Sequence, residues 1–168
     1  SLGILDLQGT IQQCDASRVH RYLPLNISQS VRYYVRDSVL KGSLQSFGVK
    51  IKGDLKKLPF ANPKEGEFRF AGKVKEAQYA YVPPENLNTA NRNASSEGIW
   101  PIMSSVNADI VFDRLNFKVN GASGKWGNVP FTQIKAEIPN LSNNPVVNVQ
   151  GESRSTAKQL LSDLRLSP

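Results

Sequence analysis

Apolar and polar residues alternate along this chain in long runs from Leu44 to Val149. Successive side chains on a strand point to opposite faces, so such alternation predicts a sheet with one apolar face. In the cleanest run, Val106, Ala108, Ile110 and Phe112 share one parity, then Leu115, Phe117 and Val119 share the other. Before it, Phe68, Phe70, Gly72 and Val74 give way to Ala77, Tyr79 and Tyr81. After it, Val129 and Phe131 give way to Ile134, Ala136 and Ile138. An earlier run passes from Leu44 to Phe47, Val49, Ile51 and Leu55 in the same way.

The phase changes fall after Gln45, Lys75, Asp113 and Thr132. Between them lie stretches that read as turns: Pro59 to Pro63, Pro83 to Ser104 and Asn120 to Trp126. If consecutive runs are antiparallel neighbours, the changes lie on one line across the sheet. An extra residue in a strand would be a bulge, which bends the sheet. A slip shared by every strand would instead carry the apolar residues to the opposite face. The second alternative divides the sheet into two apolar zones on opposite faces, one under the helices and one open.

The elements follow from these runs. A strand is expected over Leu2 to Gln12, then a short helical turn capped by Ser17 and ended by Pro24. Ser28 caps a longer amphipathic helix to Lys41, with Gly42 as its stop. Strands follow at roughly 43–55, 66–82, 104–119, 127–139 and 145–151. Ser155 or Thr156 starts a last helix to about Leu166, with Ala157, Leu160, Leu161 and Leu164 on one face. The strand 104–119 would be roughly 50 Å long at ~3.3 Å per residue, far beyond the usual five or six residues. The fold class expected is therefore mainly β with a few helices (α+β). It is a long curved antiparallel meander forming part of a β-groove, flanked by amphipathic helices.

Composition agrees with that picture. Hydrophobic residues make up 39% of the 168, low for a compact globule, as long strands with little covering material would give. No apolar stretch is long enough to cross a bilayer. The chain opens on Ser1 and reads as an excised piece of a longer protein. Lys and Arg outnumber acids nine to three between Lys41 and Lys75, against a net charge of +7 for the whole chain. These lysines alternate with the apolar set, as residues on a solvated outer face should. Single-strand nucleic-acid binders interleave exposed aromatics with basic residues. Here Phe68, Phe70, Phe112 and Phe117 fall on the parity opposite the lysines, which argues against a nucleic-acid partner.

Candidate chemistry is sparse. His20 is the only histidine and Cys14 the only cysteine, too few for a common zinc site without several carboxylates. Asp109 and Asp113 share a parity but stand roughly 13 Å apart on one strand, too far for a glycosidase pair. Gly121 to Gly127 lacks the frame of a phosphate-binding loop and reads as a hairpin turn. No catalytic residue, metal ligand or cofactor site is expected, and the chain is read as a non-enzyme.

The punctuation of the chain is more telling. Arg21-Tyr22-Leu23-Pro24 precedes the Val31 to Gly42 segment. Gly53-Asp54-Leu55 and Leu58-Pro59-Phe60 follow, then Gly66-Glu67-Phe68 and Tyr79-Ala80-Tyr81. Trp100-Pro101 opens another strand and Leu166-Ser167-Pro168 closes the last helix. In order and spacing this resembles the periplasmic region of the YhdP family, in the AsmA-like group of Gram-negative envelope proteins. The resemblance implies a periplasmic segment of a protein anchored to the inner membrane by a segment outside this chain. It implies repeat units of five antiparallel strands plus a crossing segment, with 1–42 ending one unit and 43–168 forming the next. It also implies a groove carrying phospholipid or another acyl lipid to the outer membrane, with neighbouring repeat units of the same chain as partners. The groove candidates are Phe68, Phe70, Val74, Ile110, Phe112, Leu115, Phe117, Val119, Phe131 and Ile134. The competing reading is a structural spacer or protein-interaction module of the envelope whose apolar face is a closed core.

Overall fold

The computed structural model describes residues 3–23, 27–83, 101–142 and 146–153. They form one antiparallel sheet of seven strands in sequential order. The strands are β1 (Ile4–Asp15), β2 (Val39–Asp54), β3 (Gly66–Tyr79), β4 (Met103–Asp113), β5 (Asn116–Trp126), β6 (Val129–Ile138) and β7 (Asn148–Ser153). A 3-10 helix (Ala16–Tyr22) and α1 (Gln29–Ser38) lie between β1 and β2. The mainly β class and the open meander are as expected. The expected last helix to Leu166 and most of the expected turn from Pro83 to Ser104 lie outside the described residues.

The expected strand 104–119 is in fact a hairpin. Asp113 pairs with Asn116 across the two-residue turn Arg114-Leu115, with Arg114 at φ 55°. Asn120 to Trp126, expected as a turn, is the second half of β5, and the β5–β6 turn falls at Gly127-Asn128. Among the described residues six strands therefore follow α1 rather than five. A two-residue turn and a bulge both change apolar parity by one, so alternation alone confuses them.

The other three phase changes are bulges. Ser46, Glu76 and Gln133 have φ of 49°, 49° and 56°, and Ser105 and Gly121 supply the same left-handed residue in β4 and β5. Each of β2 to β6 thus carries one, within a band crossing the sheet. Four residues repeat the pattern each time: apolar, polar, left-handed, apolar. In β3 they are Val74-Lys75-Glu76-Ala77, and in β6 Phe131-Thr132-Gln133-Ile134.

The apolar residues stay on one face through this band. Val74 pairs with Ala108 and Ala77 with Val106, while Val106 and Ala108 sit two apart in an unbulged stretch of β4. Val74 and Ala77 therefore point the same way. Likewise Leu44 and Phe47, on either side of Ser46, join one cluster with Ala16, and Val49, Phe70, Val74 and Ile110 pack against it. The division into two zones on opposite faces is thus wrong. A left-handed residue turns the chain through the extra half-pleat, so three-residue spacing returns to the same side.

The helical segment covers only one corner. Asp15, not Ser17, caps the 3-10 helix: its Oδ1 accepts from Ser17 N at 2.9 Å and from Ser17 Oγ at 2.7 Å. Ala16 and Val19 from that helix pack onto the Leu44–Phe47 cluster of β2. Ser28 caps α1 as expected, but the helix ends at Ser38 rather than Lys41. From Val39 the backbone pairs with β3, and this cross-strand ladder overrides the helical pattern. Gly42 is therefore a strand residue and not a helix stop.

Candidate functional site: an apolar sheet face and its crease

Nine of the ten expected groove residues lie in the sheet: Phe68, Phe70 and Val74 in β3, Ile110 and Phe112 in β4, Phe117 and Val119 in β5, and Phe131 and Ile134 in β6. Direct pairing puts them on one face: Phe70 opposite Phe112, Phe112 opposite Phe117, Ile110 opposite Val119. Leu115 lies in the β4–β5 turn, outside the ladder, where its carbonyl accepts from Leu141 N at 2.9 Å. The rings of Phe68 and Phe70 meet edge to face at 4.9 Å, and those of Phe68 and Phe112 at 5.7 Å. Phe47 adds a contact to Phe70 at 6.2 Å. Such pairs add to area burial, so this half of the face is a mutually packed aromatic floor.

Glycines on the same face let aromatic and aliphatic side chains lie flat. A Cβ on Gly72 would stand 2.5 Å from Phe47 Cδ2, so the Phe47 ring occupies that space. Phe131 lies over Gly124 in the same manner, with Cζ 2.9 Å from where a Cβ would be. Gly42 meets Ala77 backbone and Gly151 meets Ile134. Each of these four glycines faces the bulge of a neighbouring strand. The bulges themselves share a polarity. Ser46, Glu76, Ser105, Gly121 and Gln133 are all exposed, whereas the residues after them, Phe47, Ala77, Val106, Ala122 and Ile134, are buried or half-buried. The band is therefore a crease, polar on its outer side and apolar on its inner side. Sequence reasoning placed three of its five members but missed Gly121, whose surroundings read as a turn, and Ser105, which lies at the start of β4 with few apolar residues before it.

The opposite face is charged and cross-linked. Lys50 pairs with Glu67 at 2.6 Å, Lys52 with Asp6 at 3.0 Å, Arg69 with Asp113 at 3.2 Å, Lys73 with Asp109 at 2.7 Å and Lys118 with Glu137 at 3.2 Å. Asp6, Asp109 and Asp113 come from outside the basic stretch, so they offset three of its six excess positive charges. Asp109 and Asp113 are partners of basic residues rather than a catalytic pair. Hydrogen bonds from Asn116 and Lys118 hold the Glu137 carboxyl below its usual range, and Asp6 raises Lys52. Arg114 ties the β4–β5 turn to β3: its Nη2 donates to Gly66 O at 3.1 Å and its backbone N–H to Phe68 O at 2.7 Å.

The two candidates, His20 and Cys14, lie in and just before the 3-10 helix. His20 Nδ1 lies 3.0 Å from Ser17 O within the 3-10 helix. Burial and the neighbouring Asp15 raise the Cys14 thiol, which disfavours the thiolate a nucleophile needs. Among the described residues no group of three or more His, Cys, Asp or Glu side chains could hold a metal, and no helix is long and apolar enough to cross a membrane.

A family model described as YhdP protein matches residues 1–168. The chain belongs to the YhdP family. No curated protein and no solved structure matches it. In this YhdP-family sheet the punctuating motifs acquire physical roles. Arg32 Nη1 donates to the carbonyls of His20 and Leu23, both at 3.1 Å, fixing α1 against the Arg21-Tyr22-Leu23 turn. Asp54 Oδ1 accepts from Lys56 N at 3.0 Å and starts the turn that delivers Phe60. Phe60 is fully buried, and its ring fills the space where Gly53 and Gly66 lack a Cβ. It closes one end of the β2–β3 hairpin on the apolar side. At the other end Tyr34 of α1 meets the Tyr79 hydroxyl at 2.7 Å and the Tyr81 carbonyl at 3.0 Å. Burial and that hydrogen bond raise the Tyr79 phenol, so it stays neutral. Trp100 and Leu166 to Pro168 lie outside the described residues.

Proposed function

We propose that this chain is a non-catalytic segment of an inner-membrane-anchored periplasmic protein whose apolar trough carries phospholipid between the inner and outer membranes. The observation that carries the reading is the unbroken apolar face across β1 to β7, backed by a charged face, in a member of the YhdP family. Each buried methylene of an acyl chain gains ~0.8 kcal/mol, so a continuous apolar surface suffices to hold a lipid out of water. The ends of the sheet fit a repeating protein. Ile4, Leu7 and Ile11 on edge strand β1 are exposed, as are Val146, Val147 and Val149 at β7. On this reading 1–42 ends one unit and 43–168 forms the next. Neighbouring units of the same chain would cover both edges.

Native mass spectrometry and lipid extraction of the purified chain test this. Co-purifying phospholipid, lost on placing Asp at Phe117, is expected. A lipid-free chain that still pairs with its neighbouring units would favour the spacer reading instead.

A further inference from the structure

Charges on the outer face are not matched uniformly. Lys50 with Glu67, Lys52 with Asp6 and Lys73 with Asp109 pair one to one. Beside the β4–β5 turn the count differs. Asp113 serves two cations at once: its Oδ2 accepts from Arg69 Nη1 at 3.2 Å and its Oδ1 from Arg114 Nη1 at 2.7 Å. Lys118 Nζ lies 3.2 Å from Glu137 Oε1, and that same oxygen accepts from Asn116 Nδ2 at 2.8 Å. Three cations therefore share two carboxylates, which leaves one positive charge uncompensated in this group.

These groups surround a hollow of about 420 Å3 lined by Arg69, Val111, Asp113, Arg114, Asn116 and Lys118. Val111 forms its base, opposite Lys118 in β5 and opposite Ala71 in β3, two residues along from Arg69. Its short side chain lies among longer ones, so the hollow has an apolar base and donors around it. A guanidinium has more N–H groups than the bonds made here use. Among the described residues Arg69 donates through Nη1 alone. Arg114 uses Nη1 on Asp113 and Nη2 on Gly66 O, while its Nε is buried without a hydrogen-bond partner. A buried donor with no acceptor is costly, so an acceptor within its reach is favoured.

The donors also come from β3, from the turn and from β5, and so do not share one plane. A carboxylate accepts near its own plane, whereas the oxygens of a phosphate point to the corners of a tetrahedron. We propose that this hollow binds a monoanionic phosphodiester, whose single negative charge balances the site, between Arg69 and Lys118 over Val111. Arginine suits this task because its fork of donors meets phosphate oxygens in pairs. The site rests on its own charges and goes beyond the lipid-carrier reading. It lies at the rim of the sheet, where Leu115 follows Arg114 in the turn. Its ligand is therefore a lipid headgroup reaching around that rim or a soluble phosphodiester.

Phenylglyoxal protection in the full-length protein tests the site. The reagent modifies guanidinium groups, and peptide mass spectrometry reads Arg69 separately from Arg18, an exposed control paired with Asp15 at 3.4 Å. Glycerophosphoglycerol, acetate and vesicles of phosphatidylglycerol are titrated at constant ionic strength, so that general screening is the same throughout. Glycerophosphoglycerol should slow modification of Arg69 saturably, by about threefold at twice its dissociation constant, and leave Arg18 unchanged. Acetate should protect less at the same concentration. Lys118→Gln should abolish the protection and Lys118→Arg should retain it, with circular dichroism unchanged in both. Protection by vesicles as well assigns the site to a lipid headgroup, and protection by the soluble diester alone assigns it to a soluble ligand; the site stands in both cases. Equal protection by acetate, equal slowing of Arg18, protection by vesicles without the soluble diester, or protection that survives Lys118→Gln overturns it. If Lys118→Gln does not fold, the comparison of probes on the parental protein decides alone. These results leave the apolar face untouched, and lipid extraction tests the carrier reading separately.

Discussion

A glycine on the apolar face of this sheet is neutral or required according to what lies opposite it. Gly72 faces the bulge at Ser46, and a Cβ there would lie 2.5 Å from the Phe47 ring and 2.9 Å from Phe47 Cα. The ring can turn aside, but the backbone cannot. Gly72→Ala is therefore expected to cost about 1–3 kcal/mol, as overpacking does. Gly9 sits on edge strand β1 with nothing within 4 Å of its missing Cβ. Gly9→Ala removes backbone freedom from the unfolded chain and should stabilise by roughly 0.5 kcal/mol. Urea denaturation of the two variants checks both signs; equal shifts would show that the glycines are not notches for the bulges. Nothing in the sequence marks which glycine is which. Gly42 looks like a helix stop in the helical pattern, but its φ of 131° and its approach to Ala77 explain it.

At the scale of the strand, the left-handed residue decides the shape. A non-glycine residue in that conformation costs roughly 1–2 kcal/mol. Four of the five bulges accept this cost with Ser, Glu, Ser and Gln, and only β5 uses glycine. Ser105→Gly should raise stability by about 1 kcal/mol, since the Ser105 side chain is exposed and its carbonyl bond from Asn107 Nδ2 remains. Gly121→Ser should lower it by a similar amount. Thermal unfolding reads both, and a loss of stability in Ser105→Gly would mean the hydroxyl does more than occupy a turn. These bulges also set how much of the fold was legible. Those at Ser46, Glu76 and Gln133 interrupt clear alternation and were visible as phase changes. The one at Ser105 sits at the start of its strand, with too few apolar residues before it to show a phase. At Gly121 the local chain is Asn-Gly-Ala-Ser-Gly, whose composition is that of a turn. The true turn, Arg114-Leu115, carries no turn residue at all, so the hairpin was read as one long strand. Which face each zone occupied was not legible either, because alternation records parity and not the left-handed twist that cancels it.

For the molecule as a whole, the two faces divide stability from function. The outer ion pairs are exposed, and such pairs contribute roughly 0–1 kcal/mol each. Raising salt to about 0.5 M should move the melting temperature little, because the core lies on the other face. Asp15, Asp37 and Glu137 are held below the usual carboxylate range by hydrogen bonds from Ser17, Arg36 and Asn116. Their stabilisation is present above the unfolded carboxylate pKa and is lost as pH falls through the lower folded values. Lys52, raised by Asp6, behaves in the opposite sense: its contribution holds below its unfolded pKa and is lost as pH rises through the folded one. A melting temperature flat through neutral pH, with small losses only in acid and strong base, is expected from a titration followed by circular dichroism. Function should respond to a different set of residues. Ile110 packs against the Leu44–Phe47 cluster, so a charge there would confuse unfolding with blockage. Phe117 is half-buried on the aromatic floor of β5, away from that cluster, and an aspartate there would put a charge on the face proposed to carry acyl chains. In the full-length protein, Phe117→Asp should slow phospholipid transfer between membranes by about tenfold or more, a barrier near 1.4 kcal/mol, with expression and membrane anchoring intact. His20→Ala and Cys14→Ala should transfer lipid at the parental rate, because neither side chain faces the open part of the trough. A transfer defect in either alanine variant, with the fold preserved, would turn attention from the trough to chemistry at the 3-10 helix.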